Sequence, residues 1–340
     1  MKILRYLEPR RVEIAEVPRP SIADGEVLVQ TRACAVCATD VKTFMRGHPL
    51  IPAGAVLGHE MSGVIVESCA DGWREGERVV VAPYVPCGKC LHCARGQFTL
   101  CQNLFDAAVE PGGFSEYLRV SPRLVQHGMY RLPENVDSIA GTLVEPFACC
   151  YHGLEALSLR YGESLLIVGD GPMGLMQALV AREMGASPIV VAGMTPERLA
   201  WGARHADHVI NVAETDLREA VMALSGNAGM DKVMVSVGQA EVAEKALALV
   251  RRGGAINFFA GLPSGSRVSI DQNRIHYDEI ALFGTFGFAP SHFKRAVDGL
   301  ASGALDVTGL ITRTVRLDEL EGAFVEIAAY RGIKTVVVFA

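Results

Sequence analysis

Residues 164–186 read SLLIVGDGPMGLMQALVAREMGA. Leu165–Val168 is a short apolar run of the kind that makes a fully buried strand. Gly169-Asp170-Gly171-Pro172-Met173-Gly174 follows at G-x-G-x-x-G spacing, and LMQALVARE continues at helical period. In such a turn the first glycine permits the tight bend and the second lets a phosphate approach the backbone. The third lets helix and strand pack closely. The helix N-terminus adds free N–H groups and a partial positive charge, which suit a pyrophosphate. Six such residues alone would also fit a tight structural turn. The strand before them, the helix after them and the units downstream favour dinucleotide binding.

Downstream, PIVVAG, ERLAWGARH, HVIN, LREAVMALSG, DKVMVSVG, VAEKALALV and GAINFFAG alternate strand-like and helix-like segments. That alternation predicts a parallel sheet covered on both faces. An Asp or Glu about 20 residues beyond the glycines commonly bonds the ribose 2′-OH of NAD. Here PIVVA ends in Gly193, followed by Met194 and Thr195, with Arg198 close behind. With no carboxylate at that strand end to repel a 2′-phosphate, Gly193, Thr195 and Arg198 favour NADP over NAD. Arg198 has the alternative reading of a solvated helix residue.

Upstream, residues 1–135 carry EVLVQTRACAV, SGVIVES, ERVVVAP and FSEYLRV between Gly and Pro, as an irregular β domain would. From about Asp137 the texture turns helical, in SIAGTLVEPFACCYHGLEAL. After the α/β stretch, HFKRAVDGLASG and TVVVFA return to helix and strand without a nucleotide motif. The organisation is therefore discontinuous. Its 340 residues, 50% hydrophobic and 21% charged, suffice for two cores and read as a globular enzyme. A net charge of −6 offers no general attraction to nucleic acid or an anionic membrane. No run reaches the roughly 18 apolar residues of a membrane helix. MKILRYLEPRR lacks an apolar signal core, so the expected location is the cytoplasm.

Four of the nine cysteines lie in PCGKCLHCARGQFTLC, residues 86–101. Cys87, Cys90, Cys93 and Cys101 have the spacing of a tetrahedral Zn²⁺ site, and four thiolates close the ion to substrate. An iron–sulfur cluster is the chemical rival, but neither ferredoxin spacing matches. His92 falls between ligands of a shell that is already full. Catalysis then needs other groups. VCATD supplies Cys37, Thr39 and Asp40, LGHE supplies His59 and Glu60, and LVEPFACC supplies Glu145. One thiolate, one imidazole and one carboxylate would leave a zinc position open, as catalytic zinc requires. Each has a plainer reading as a core residue, least so Glu145, whose carboxylate in an apolar run would be costly without a partner. Cys34 and Cys37 could instead form a redox pair, although the thioredoxin context is absent.

VCATD, GHE, the four-cysteine lobe, VEPFACC, VGDGPMG and IHYDEIALFGTFG, in this order, resemble the zinc-containing medium-chain alcohol/polyol dehydrogenases over essentially the full length. The resemblance implies α/β architecture: a GroES-like β-rich catalytic domain, residues 1–152 and 285–340, with its zinc lobe at about 86–102. A Rossmann doubly wound parallel-sheet domain, residues 153–284, is inserted in it, and the active site lies in the cleft between the two. It implies two zinc ions, a catalytic one on Cys37, His59 and either Glu60 or Glu145, and a structural one on Cys87, Cys90, Cys93 and Cys101. Asp40 matches the acid that orients the zinc-binding histidine, and Thr39 the hydroxyl that takes the substrate proton. Gly169, Gly171, Pro172, Met173 and Gly174 fall on the cofactor pyrophosphate.

The implied activity is zinc-assisted hydride transfer between NAD(P) and a secondary alcohol or ketone. Glu145 and IHYDEIALFGTFG resemble the sorbitol dehydrogenase branch, so a polyol, sugar alcohol or cyclitol is the expected substrate. A threonine-like amino alcohol or simple aliphatic alcohol is the alternative. Phe44, His48, Phe105, Phe114 and Phe286 are candidates for the pocket wall. A homodimer or homotetramer is implied. A catalytically silent nucleotide-binding relative would not need Cys37, Thr39, His59 and Glu145 together. A zinc-finger nucleic-acid binder would need a basic surface that is missing.

Overall fold

In the computed structural model, which describes residues 1–340, the chain forms two compact units. The first comprises Met1–Ala148, Phe288–Gly303 and Val307–Ala340; the second comprises Cys149–Gly287 and Ala304–Asp306. The chain passes from one to the other inside the helix Val144–Ala156, so no loop or linker marks that boundary. No helix is long and apolar enough to cross a membrane.

In the first unit, β1 (Lys2–Glu8) and β2 (Arg11–Glu16) form an antiparallel hairpin. A larger sheet is built from β3 (Val27–Ala35), β4 (Glu60–Ser68), β5 (Arg78–Val81), β6 (Tyr117–Val120) and β7 (Met129–Arg131). In the second unit, β8 (Leu165–Val168), β9 (Ile189–Gly193), β10 (His208–Asn211), β11 (Met230–Val235), β12 (Val250–Phe258) and β13 (Ala281–Gly284) follow. The C-terminal strands β14 (Ile311–Val315) and β15 (Lys334–Val338) return to the first sheet, whose order is β14-β15-β3-β4-β5-β7 with β6 also on β3.

Register in the first sheet decides what meets what. Ala35, at the end of β3, lies opposite Glu60 of β4 on one side and Val336 of β15 on the other. Cys37 follows two residues later as N-cap of the helix Ala38–Arg46. One sheet end thereby collects residues from three distant parts of the chain.

The second unit's six strands are all parallel, in the order β10-β9-β8-β11-β12-β13. This is the Rossmann order, with its topological switch point between β8 and β11. Central strands of such a sheet are buried on both faces, and β8 and β9 are apolar and buried at every position. Leu166, Val190, Val233 and Ile256 join one core cluster across them. The edge strands β10 and β13 are largely exposed, β13 although it reads ALFG. At the switch point Gly169 has φ +127°, and a Cβ on Gly174 would lie 1.9 Å from Gly169 O. Only glycine lets that helix reach its strand.

Candidate functional site

The strand ends of the first unit bring Cys37, His59 and Glu60 together, with one ligand atom from each within 4.8 Å of the others. Asp40 orders this group. Its Oδ2 accepts from Cys37 N at 2.9 Å, its Oδ1 accepts from Gly58 N at 3.1 Å, and His59 Nδ1 lies 3.6 Å from Oδ1. With Nδ1 turned to the carboxylate, Nε2 is the nitrogen left for a metal. Thr39 is half-buried beside them; its N–H donates to Cys37 Sγ at 3.4 Å and its carbonyl accepts from Thr43 Oγ1 at 2.8 Å. Glu145 is buried in the same electrostatic neighbourhood but is not a member of the mutual set.

One residue of this neighbourhood is not in any motif. Lys334 of β15 is 3% exposed and places Nζ 2.8 Å from Glu60 Oε1 and 2.6 Å from Oε2. The only signal in the sequence is a charged residue opening the apolar run KTVVVFA, a position where burial demands a partner. Burial would lower the Lys334 ammonium; Glu60, then Cys37, outweigh it and hold it above its ordinary value.

The remaining titrations follow the same balance. Burial acts against the charged His59, yet the negative Cys37 and Asp40 raise it well above its ordinary value. Burial raises the Glu145 carboxyl to about 7, with Glu60 and Asp40 adding to it and His59 and Lys334 opposing. Cys34 lies fully buried in β3, and burial first, then Asp40, pushes its thiol well up. A thiol so held is a poor redox partner for Cys37.

In the lobe, the sulfurs of Cys87, Cys90, Cys93 and Cys101 all lie within 4.8 Å of one another. The backbone N–H of Cys93 leads the donors that hold Cys90 at about 6, whereas burial pushes Cys93 to about 12. His92 turns away from the sulfurs to Gln97 Oε1, 3.1 Å from Nδ1.

At the glycine turn, Gly171 caps the helix Pro172–Glu183, and a Cβ built on it would meet nothing within 4 Å. Met173 and Gly174 open that helix. Arg198 is 5% exposed, so it is not a solvated helix residue, and Thr195 is half-buried at the end of β9. Two pocket-wall candidates are corrected to packing: Phe44 and Phe114 are buried against Phe324, with centroids at 5.1 and 6.2 Å. Phe105 and Phe286 are exposed, and His48 accepts from Leu50 N in its own loop.

Residues 23–133 match the family model for the alcohol dehydrogenase GroES-like domain, and residues 172–302 match that for zinc-binding dehydrogenase. A sorbitol dehydrogenase of Bacillus subtilis (strain 168) is 31% identical over 95% of this chain and 92% of its own. The chain belongs to the zinc-binding medium-chain alcohol dehydrogenases. Two solved structures extend the likeness. A zinc-binding dehydrogenase of Sinorhizobium meliloti 1021 bound to NADP superposes with a TM-score of 0.90 at 28% identity, covering 99% of each chain. An alcohol dehydrogenase of Escherichia coli CFT073 complexed with NADH does so with a TM-score of 0.89 at 27% identity, covering 100% of this chain and 99% of that one. The protein is accordingly a zinc- and NAD(P)-dependent oxidoreductase acting on a small-molecule alcohol.

The residues of this dehydrogenase fit those groups. Thiolate, imidazole and carboxylate converge with their ligand atoms within 4.8 Å of one another, which is the chemistry of a zinc donor set. The four sulfurs of the lobe suit a closed zinc site. The open space over Gly171 leaves room for a phosphate at a helix N-terminus.

Two expectations follow for the dehydrogenase. Cys90→Ser is expected to release one zinc and lower stability by more than about 4 kcal/mol, the range of lost metals. The other zinc and turnover at low temperature should survive; urea unfolding with metal analysis checks both. The second concerns protein stripped of zinc at the Cys37 site. Folded Glu145 keeps a proton up to about 7 that an unfolded chain releases near 4.5, so stability falls as pH rises through that window. His59 has the same sign above 6.5, since its folded form keeps a proton that the unfolded chain loses. The thermal midpoint of stripped protein should fall from about pH 5 to about pH 8, and zinc should restore most at the alkaline end. A midpoint rising with pH across that range would contradict the assignment.

Proposed function

We propose that this chain is a polyol dehydrogenase, moving hydride between NAD(P) and a secondary hydroxyl of a polyol, sugar alcohol or cyclitol. The observation that carries the reading is the convergence of Cys37, His59 and Glu60, with Glu145 beside them, in a chain similar to a sorbitol dehydrogenase. Cys37, His59 and a carboxylate hold the catalytic zinc, and Glu60 is the carboxylate whose geometry favours direct ligation. Zinc would supply Lewis-acid polarisation of the substrate oxygen, and the nicotinamide would accept or return the hydride.

This chain's own residues do the rest. Asp40 fixes the imidazole and, through the Cys37 N–H, the backbone that presents the thiolate. Thr39 takes the substrate proton with its hydroxyl; its backbone is fixed at both polar groups, by Cys37 Sγ and Thr43 Oγ1. Lys334 gives the buried Glu60 carboxylate a cation at both of its oxygens. Cys87, Cys90, Cys93 and Cys101 brace the lobe with the second zinc and take no part in turnover. Gly169, Gly171, Pro172, Met173 and Gly174 seat the pyrophosphate. Gly193 and Thr195 place no carboxylate of their own at the strand end, which supports use of NADP.

The working form is read as a cytoplasmic homodimer or homotetramer, on the family resemblance. The test of function is a panel of polyols, inositols, aminocyclitols, L-threonine and simple alcohols, followed by absorbance of the reduced nicotinamide. The expected result is a kcat/KM for a polyol or cyclitol well above those for L-threonine and ethanol. A clear advantage for L-threonine or a simple alcohol would replace the reading.

A further inference from the structure

The end of β9 carries no acid, yet a carboxylate lies there. Asp170, the second residue of the glycine turn, is 7% exposed, and its Oδ2 accepts from Met194 N at 3.0 Å and Thr195 N at 2.7 Å. A Cβ on Gly193 would lie 2.3 Å from Asp170 Cβ and Cγ and 2.5 Å from Oδ2. Asp170 therefore fills the space that a side chain at Gly193 would occupy. We propose that Asp170 reads the ribose 2′ position of the dinucleotide, supplying from the glycine loop the carboxylate that such folds usually place at the strand end.

The inference rests on the dinucleotide-binding reading of this unit and deepens it. In Rossmann folds the residue ending the second strand faces the adenosine ribose, where a carboxylate accepts from the 2′-OH. Asp170 puts an acceptor in that locus by the opposite route. It acts against a 2′-phosphate in two ways. Its charge repels the dianion, and its Oδ2 already occupies the Met194 and Thr195 N–H groups that would otherwise receive phosphate oxygens. Gly193 and Thr195 open the site to NADP, and Asp170 limits how far that preference goes. The reach of Asp170 also explains why Gly193 must be glycine: any other residue would collide with the carboxylate.

The test is equilibrium binding, independent of substrate and turnover. Full-length wild type, Asp170→Asn and Asp170→Ala are titrated calorimetrically with ADP and with 2′,5′-ADP, then with NADH and NADPH by nicotinamide fluorescence. Asp170→Asn keeps the shape and an acceptor for the turn while removing the charge. It is expected to raise the affinity for 2′,5′-ADP relative to ADP about tenfold, the scale of relieving one like-charge contact. NADPH should gain on NADH in the same sense, and Asp170→Ala should gain at least as much by freeing the two N–H groups. If Asp170 only braced the turn, both ligands would weaken together, and a ratio unchanged within about twofold in both variants would overturn the proposal. Failure of ADP and NADH to bind wild type would overturn the dinucleotide reading itself, and the proposal with it.

Discussion

Cys37→Ala is expected to lower kcat/KM on the order of 10³-fold or more, because Lewis-acid stabilisation is worth several kcal/mol and each 1.4 kcal/mol is tenfold. Cys37 is the sulfur of the mutual set, and the two groups left, His59 and Glu60, compete for other partners. His59 faces Asp40 at 3.6 Å, and Glu60 is paired with Lys334 at 2.6 Å. Without the thiolate that pair is a weak zinc site. Metal analysis should fall from two zinc ions per chain to one, with the lobe zinc retained. Cys37 is only half-buried, so the variant should keep its secondary structure and its affinity for ADP. A variant that kept both zinc ions and turned over within tenfold of wild type would remove Cys37 from the catalytic site.

In protein stripped of zinc at the Cys37 site, Lys334→Met is expected to lower stability by about 3–5 kcal/mol, because it leaves the Glu60 carboxylate buried without a cation. Glu60 is 1% exposed and Lys334 3%, so water cannot take over the lost interaction. The loss should be largely specific to the unpaired charge. Lys334→Arg should retain most of the stability, and Lys334→Met combined with Glu60→Gln should recover much of what Lys334→Met loses. Urea unfolding of wild type, both single variants and the pair closes the cycle. A loss in the pair equal to the sum of the losses in Lys334→Met and Glu60→Gln would show that the ion pair contributes no coupling.

These two residues differ in how visible they were in the sequence. Cys37 stands in VCATD, within a set of spaced ligand types, and its role was legible from resemblance and chemistry together. Lys334 lies 274 residues from Glu60, and only the register of β15 on β3 and of β3 on β4 joins them. Strand register across a discontinuous domain is not written in local periodicity. The Rossmann unit was legible for the opposite reason. Its central strands are buried on both faces and read as unbroken apolar runs, and its glycine turn is local. Asp170 was visible there only as a variable position of the motif. Its importance depends on where β9 ends in space. Phe44 and Phe114 are pocket candidates in the sequence because nothing local reveals that Phe324, far along the chain, packs against both.

The central claim is that one zinc serves turnover and the other serves the fold, and metal counting during chelation tests it most directly. Purified protein should contain two zinc ions per chain. A chelator such as dipicolinate should remove one of them with complete loss of NAD(P)-linked oxidation, and added zinc should restore the activity. The fold and the four-cysteine zinc should persist throughout. Full turnover after the labile zinc is gone, or a protein that only ever holds the lobe zinc yet remains active, would contradict the account.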